Sequence, residues 1–349
     1  CDVDPDTLQA VSTQYGVPGF SSHGELLSSG KVDAVVIATP HYFHPPIGID
    51  AFDAGMHVLT EKPMAVTIGA AEKFAAKARE SKKVFTIMFQ KRFSGAFQTA
   101  KKLVEEKAIG ELYRVSMIAT GFRTQRYYDS GAWRATWLHE GGGVIINQAS
   151  HELDFFTALV GLPSQVCAKV RTRLHRIEVE DFGHCIMEFP NGAVGYLCIS
   201  TDEAPGTHRI ELCGDSGRIL IDGNKILLSR LDTPSLKDFA LQSDTVWGSP
   251  KAQTEEVAIP DGKANHGHVL QNFVNTILGK EELVIDGAVG LTELELGNAI
   301  HLSSHIGKAV ELPLDRQQVE DHFAQLRRIS KPKASISVAR ETDPQHLQK

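Results

Sequence analysis

The triplet Glu61-Lys62-Pro63 closes a strand-like run, His57-Val58-Leu59-Thr60. A lysine at the end of a strand sits at the carboxyl edge of a sheet, where open α/β sheets bind their ligands. Pro63 biases Lys62 toward an extended backbone, so its ammonium is aimed rather than loose. Some eighty residues later, Gly141-Gly142-Gly143 leads into a helix carrying Asn147 and His151. Their i, i+4 spacing puts both side chains on one helical face. A lysine and a histidine facing one cleft are suited to taking a proton from a hydroxyl and stabilising the oxyanion left behind, two steps that require a base and a cation or donor. Lys62 and His151 can supply both.

The elements around these residues fall into two textures. Val32 to Ala38 is a short apolar run ending at Thr39-Pro40, as expected of a buried parallel strand. A helix over 46–54, a strand over 57–62, a helix near 67–81, a strand over 84–89 and a helix near 94–107 continue the alternation. That rhythm predicts an α/β domain with a doubly wound parallel sheet over residues 1–120. From Val115 the strands lengthen and alternate. Pro190-Asn191-Gly192 and Asp215-Ser216-Gly217 read as tight hairpin turns. Residues 121–330 should therefore form an α+β domain with a mostly antiparallel, open sheet. Within it, 232–256 reads as an irregular surface excursion, and 268–278 and 291–306 as amphipathic helices. A polar tail, 331–349, is expected to fray.

The Glu-Lys-Pro strand end and the later glycine turn followed by an amide and a histidine resemble the glucose–fructose oxidoreductase/inositol 2-dehydrogenase (Gfo/Idh/MocA) family. The resemblance extends to about residue 330. It implies a Rossmann-type dinucleotide-binding domain followed by a substrate domain, and NAD(P)-dependent hydride transfer to or from a sugar, cyclitol or related polyol. It implies His151 as acid/base and Lys62 as its electrostatic partner. Asn147 stands where many members carry aspartate. An amide orients a hydroxyl or a lysine but takes no proton, so the proton path is left to Lys62, His151 and water. The glycines are expected to let the backbone approach the substrate or nicotinamide. The family's opening Gly-x-Gly-x-x-Gly turn has no counterpart, and Cys1-Asp2-Val3-Asp4-Pro5 aligns with the end of the second Rossmann strand. Roughly 30 residues, the first strand and helix, are thus expected to be missing from the Rossmann pattern.

On that alignment Asp2 is the ribose-binding carboxylate, with Asp4 as the alternative, and favours NAD over NADP. Thr39, Pro40, His44, Glu61, Lys62, Gln90, Trp133 and Arg134 complete the expected cofactor side. Arg92, Arg123, Tyr128, Asn147 and His151 form the expected substrate side. Arg126 and Tyr127 crowd the same loop, and packing is an equal alternative for Trp133 and the tyrosines. His266 and His268 are weighed lower. His41 and His44 have metal-like spacing without a third ligand, so no metal is expected.

The net charge of −7 argues against nucleic acid or anionic membrane as main partners. No apolar run approaches the roughly 20 residues of a membrane helix. The five cysteines form no Cys-x-x-Cys, which fits a reducing cytoplasm. A homodimer or homotetramer through the open sheet face is expected. Two other readings share the motif pair: NAD-dependent, redox-assisted glycoside cleavage, and a non-catalytic ligand-binding or regulatory protein.

Overall fold

Short apolar runs build the first sheet. β1 (Ala34–Ile37), β2 (His57–Thr60) and β3 (Phe85–Ile87) are parallel, in the order β1-β2-β3. The computed structural model describes residues 1–262, 264–331 and 333. Val58, Leu59 and Thr60 of the middle strand are wholly buried, because helices cover the sheet. The connecting helices His44–Asp53 and Ile68–Ser81 pack on each other through Phe52 and Phe74. Asp4, an alternative ribose ligand on sequence grounds, is used locally. Its carboxylate caps the helix Pro5–Tyr15 by accepting from Asp6 N and Thr7 Oγ1.

The second sheet has nine strands. They are β4 (Leu112–Phe122), β5 (Gln165–Arg171), β6 (Phe182–Glu188), β7 (Val194–Ser200), β8 (Asp202–Gly214), β9 (Gly217–Asp222), β10 (Lys225–Leu231), β11 (Ala252–Glu256) and β12 (Val310–Glu311). Their order is β11-β10-β9-β8-β4-β7-β6-β5-β12. All pairs are antiparallel except β4 with β7. The two turn signals are where the sequence puts them: Glu188 pairs Val194 around the first, and Gly214 pairs Gly217 around the second.

Three expectations change, and a fourth is not tested. The boundary at residue 120 falls inside β4, which belongs wholly to the second sheet, so the second domain's sheet begins at Leu112. The excursion 232–256 is ordered as a helix, Leu236–Gln242, and the edge strand β11. The helix Gly290–Ile306 is enclosed on all sides, with every residue from Glu293 to Ser303 buried, rather than amphipathic. Of the tail, only Lys331 and Lys333 are described; the expected fraying lies outside the described residues.

That enclosed helix joins the two domains. Asn298 Nδ2 donates to Val66 O, and its Oδ1 accepts from Ile68 N, at 2.9 and 2.8 Å. The segment just after Lys62-Pro63 is thereby bolted to the helix beneath the second sheet. Two backbone groups are satisfied by one buried amide, and the end of β2 is held against the glycine turn.

Candidate active site

Lys62 leaves β2 on the side where the first sheet faces the second domain. The Lys62–Pro63 peptide is cis. His44 braces this corner: its ring nitrogens lie 2.7 Å from Thr39 O and 2.8 Å from Pro63 O. The ring is fully enclosed. His44 was expected near the cofactor; it instead ties the loop after β1 to the residue after Lys62. Both its nitrogens are taken up by backbone carbonyls, which leaves none for a ligand.

The glycine triplet packs against protein, which corrects the expectation that it opens space for a ligand. Gly141 has φ +81°, and a Cβ there would lie 2.5 Å from Val66 Cγ1. A Cβ on Gly143 would lie 1.9 Å from Glu180 O, closer than any side chain allows. Glu180 Oε1 accepts from Gly143 N and Ile145 N, at 2.9 and 3.0 Å. The next turn, Val144–Gln148, is a π turn closed by Ala149 N donating to Val144 O at 2.7 Å. Single π turns recur at functional sites because they redirect side chains and carbonyls. Here the redirected residue is Asn147.

Lys62 and Asn147 meet. Lys62 Nζ donates to Asn147 O and to Asn147 Oδ1, both at 2.8 Å. Asn147 Nδ2 in turn donates to Glu140 Oε1, and the other Glu140 oxygen accepts from Ala135 N. Burial pulls the lysine below its usual range; Glu61, Glu140 and Glu293 oppose this, and Arg134 adds to it. Burial likewise pushes the Glu140 carboxyl up to about 7, against the hydrogen bonds from Ala135 and Asn147.

His151 stands edge-on to Phe89, with ring centroids 5.9 Å apart. Burial holds its pKa well below the usual imidazole range, helped by the charges of Lys62 and Lys91. Its ring is therefore neutral at neutral pH and able to accept a proton. Among the described residues its buried Nδ1 has no partner, nor has Gln90 Oε1 in the turn just after β3. Buried polar atoms need partners, so these two orphans fit a polar group entering the cleft. The donor set fits a nicotinamide cofactor, which Thr39, Pro40, Glu61 and Gln90 near the strand ends would hold. Glu61 Oε1 is 3.8 Å from His266 Nε2, which puts His266 beside the Glu-Lys-Pro corner. His268 is turned to Asn265 and Phe93.

Trp133 and Arg134 lie over this corner. Trp133 packs edge-on to His41, and the Arg134 guanidinium sits 4.7 Å from the Trp133 and Tyr127 ring centroids. Arg123 lines a cavity of about 160 Å³ beside the helix that bears His151, together with Thr120, Gln148, Glu152, Ser200 and His208. Two expected substrate residues are elsewhere. Arg92 grips the buried Asp154 through Nε and Nη2 at 2.7–3.1 Å. A buried carboxylate requires such a partner, so this guanidinium is committed. Tyr128 is wholly buried, its hydroxyl 2.6 Å from Thr201 Oγ1, and belongs to a small core with Ala135 and Val179.

Three acids escaped the sequence reading. Glu140 directly precedes the glycine triplet, and that adjacency was the available signal. Glu293, whose carboxyl burial raises well above the usual range, acts on Lys62 through its charge from the enclosed helix, with no local signal in the sequence. Glu152, next to His151, is held between Lys91 and His208.

A doubly wound nucleotide-type domain with its catalytic-type lysine at a strand end, facing the helix entry of a large open sheet, defines a two-domain Rossmann class. The comparisons agree. A model described as the oxidoreductase family with NAD-binding Rossmann fold matches residues 1–89, and one for the GFO/IDH/MocA C-terminal domain matches residues 97–220. The WlbA dehydrogenase of Chromobacterium violaceum, solved with NADH and UDP-GlcNAcA, is 31% identical. Its alignment covers 90% of this chain and 88% of that one, with a TM-score of 0.76. The D-glucoside 3-dehydrogenase of Escherichia coli is 25% identical over 89% of each chain. An uncharacterised oxidoreductase of Schizosaccharomyces pombe is 31% identical over 49% of this chain and 46% of its own. The chain spans about half the length of the first curated relatives it matches. The chain belongs to the Gfo/Idh/MocA family of oxidoreductases.

The acid between Lys91 and His208 generates a stability prediction. Burial would raise the Glu152 pKa, but the His208 hydrogen bond and the Lys91 charge hold it down to about 2. A depressed carboxylate stabilises the fold above its unfolded pKa and loses that contribution as pH falls through the folded value. Glu152→Gln should therefore cost up to about 3 kcal/mol at neutral pH. The gap to wild type in thermal melts should close as pH falls from 5 toward 2; a gap constant with pH would refute the assignment.

Proposed function

We propose that this protein is an NAD-dependent dehydrogenase acting on a secondary alcohol of a sugar, cyclitol or related polyol. The observation that carries the reading is half-buried Lys62, its ammonium bonded to both Asn147 oxygens, beside His151, whose buried Nδ1 has no partner among the described residues. A buried cation with only neutral acceptors and a neutral histidine beside it make a proton-handling pair. Such a pair has little use in a protein that only binds.

NAD, when bound, supplies the hydride acceptor. His151, neutral in its buried pocket, takes the hydroxyl proton. Lys62 stabilises the alkoxide that develops as the proton leaves. Asn147 orients Lys62 through two hydrogen bonds and takes no proton itself. The aromatic and guanidinium cluster of Trp133, Arg134 and Arg123 suits ring faces and hydroxyls of a polyol. The relatives solved or named with sugar ligands support that substrate class. Asp2 supports NAD over NADP, since a carboxylate repels a 2′-phosphate. Among the described residues its Oδ1 accepts from Asp4 N, at 2.9 Å, on an exposed loop. The free thiols of all five cysteines suit a reducing compartment such as cytoplasm.

Self-association through the outer face of the second sheet is part of the same reading. Cross-strand pairing aligns Cys167, Ile186 and Tyr196, and Ile186 is 61% exposed there. Large exposed apolar side chains in register mark an association surface.

Three outcomes test this. Lys62→Ala and His151→Ala should each lower kcat by roughly a hundredfold or more while NAD binding, followed by calorimetry, survives. A panel of polyols with absorbance at the NADH band is the assay, and net NADH accumulation separates this reaction from redox-assisted glycoside cleavage. NAD should be used more efficiently than NADP, and Asp2→Ser should narrow the ratio; a wild-type enzyme at least as efficient with NADP would remove Asp2 from the assignment. Ile186→Asp should reduce the mass measured by light scattering to that of one chain, and an unchanged mass would place the interface elsewhere.

A further inference from the structure

We propose that Glu140 is a positioning residue for Lys62: it holds the amide of Asn147 so that Asn147 Oδ1 faces the lysine, leaving the third substituent position of Nζ on the cleft side. The inference rests on the reading of Lys62 and His151 as a proton-handling pair, and its test uses no turnover.

The geometry runs through four atoms. Glu140 accepts from Asn147 Nδ2 with one carboxylate oxygen and from Ala135 N with the other. A carboxylate facing two N–H groups fixes which end of the amide it meets. Asn147 therefore cannot turn its NH2 toward Lys62. Its Oδ1 and its backbone O take two N–H bonds from Nζ, at 2.8 Å each. An amine that donates two protons inward has its remaining position, lone pair or proton, pointing outward. That is the arrangement an acid/base group requires in either protonation state.

Glu140 is itself over-determined, as a positioning group must be. Ala135 is wholly buried with φ +53°, a left-handed backbone unusual for alanine, and its N–H is what Glu140 receives. Glu140 O accepts from His41 Nδ1 at 2.7 Å, and Glu140 N donates to Thr136 O at 3.0 Å. The carboxylate that an aspartate at position 147 would have placed directly on Lys62 is here set one hydrogen bond further back, with an amide between.

The charges around the pair are few. Lys62 is faced by Glu61 at its own strand end, by Glu140 and Arg134 from the loop, and by Glu293 from the enclosed helix. His41, His44 and His151 also feel its charge, and burial pulls all three below the usual imidazole range. Glu140 is faced by Arg134 and Lys62, and acts in turn on Tyr128 and Lys333. Glu140 is the one of these acids whose bond to Asn147 sets the hydrogen-bond polarity at Nζ.

The test is the reactivity of Lys62 against pH, read by trace acetylation with acetic anhydride and peptide mass spectrometry, with the other lysines as internal reference. In Glu140→Gln, the new amide keeps Ala135 N on its oxygen and turns its NH2 to Asn147. Asn147 must then flip and face Lys62 with its own NH2. The ammonium loses an acceptor and a nearby negative charge, so labelling of Lys62 at pH 7 should rise about tenfold, one unit of pKa. Glu140→Asp keeps an anionic acceptor and should stay within about threefold of wild type on the same scale. Equal labelling curves for wild type and Glu140→Gln, both folded by circular dichroism, would overturn the proposal. If Glu140→Gln does not fold, Glu140→Asp decides: it should label within about threefold of wild type, and a rise of about tenfold despite the retained anionic acceptor would overturn the proposal.

Discussion

A buried ammonium needs oxygen ligands, and much of this site is arranged to supply them to Lys62. Removing a lysine from water is costly unless acceptors replace the lost hydration. Asn147 provides two, one from its side chain and one from its backbone. Both come from a π turn, a register that a regular α-helix would not offer. That turn depends on Glu180 capturing its first amide groups, and on glycines that let the chain pass against Val66 and Glu180. The lysine's own position depends on His44 behind it and on Asn298 holding the segment that follows it into the next helix. Each partner is an uncharged group or an already paired one. The ammonium is thereby retained without a direct counter-ion, which leaves its pKa lowered and its proton exchangeable.

The acids of this site are set apart by their surroundings. Glu152, beside His151, is locked as an anion by Lys91 and His208. Glu140 is pushed by burial into the neutral range. Glu293 is raised well above the usual carboxylate range by burial and by Asp154. Carboxyl groups of one chemical type are thus set to different protonation behaviours by what surrounds them. Arg92 and Asp154 are committed to each other: a complete fork-to-carboxylate pairing leaves neither group available to a ligand.

The chemistry-bearing motifs, the alternation of strand and helix in the first domain, and the turns at 190–192 and 215–217 were legible in the sequence. All of these are local. A strand end, a glycine turn and a helical spacing are set by neighbouring residues, so Lys62, Asn147 and His151 could be named before any contact was known. Neighbouring residues also revealed the loop of Trp133 and Arg134 as a cluster worth watching. They could not reveal that Tyr128, in the same run, turns inward to Thr201, or that Arg92 is claimed by Asp154 sixty-two positions away.

Tertiary structure alone decided which side chains meet. The parallel pairing of β4 with β7 inside an otherwise antiparallel sheet, the enclosure of the helix Gly290–Ile306, and the approach of Glu293 to Lys62 all join residues far apart in the chain. No periodicity records such encounters, because burial on a second face comes from an element elsewhere in the chain. The protonation states follow the same division. Residue type sets where a carboxyl or an ammonium starts, and the desolvation and partners created by folding set where it ends. The sequence by itself determined that a lysine, an amide and a histidine would stand at one cleft. The fold decided that the lysine would be held by neutral oxygens and the carboxylate kept one bond behind.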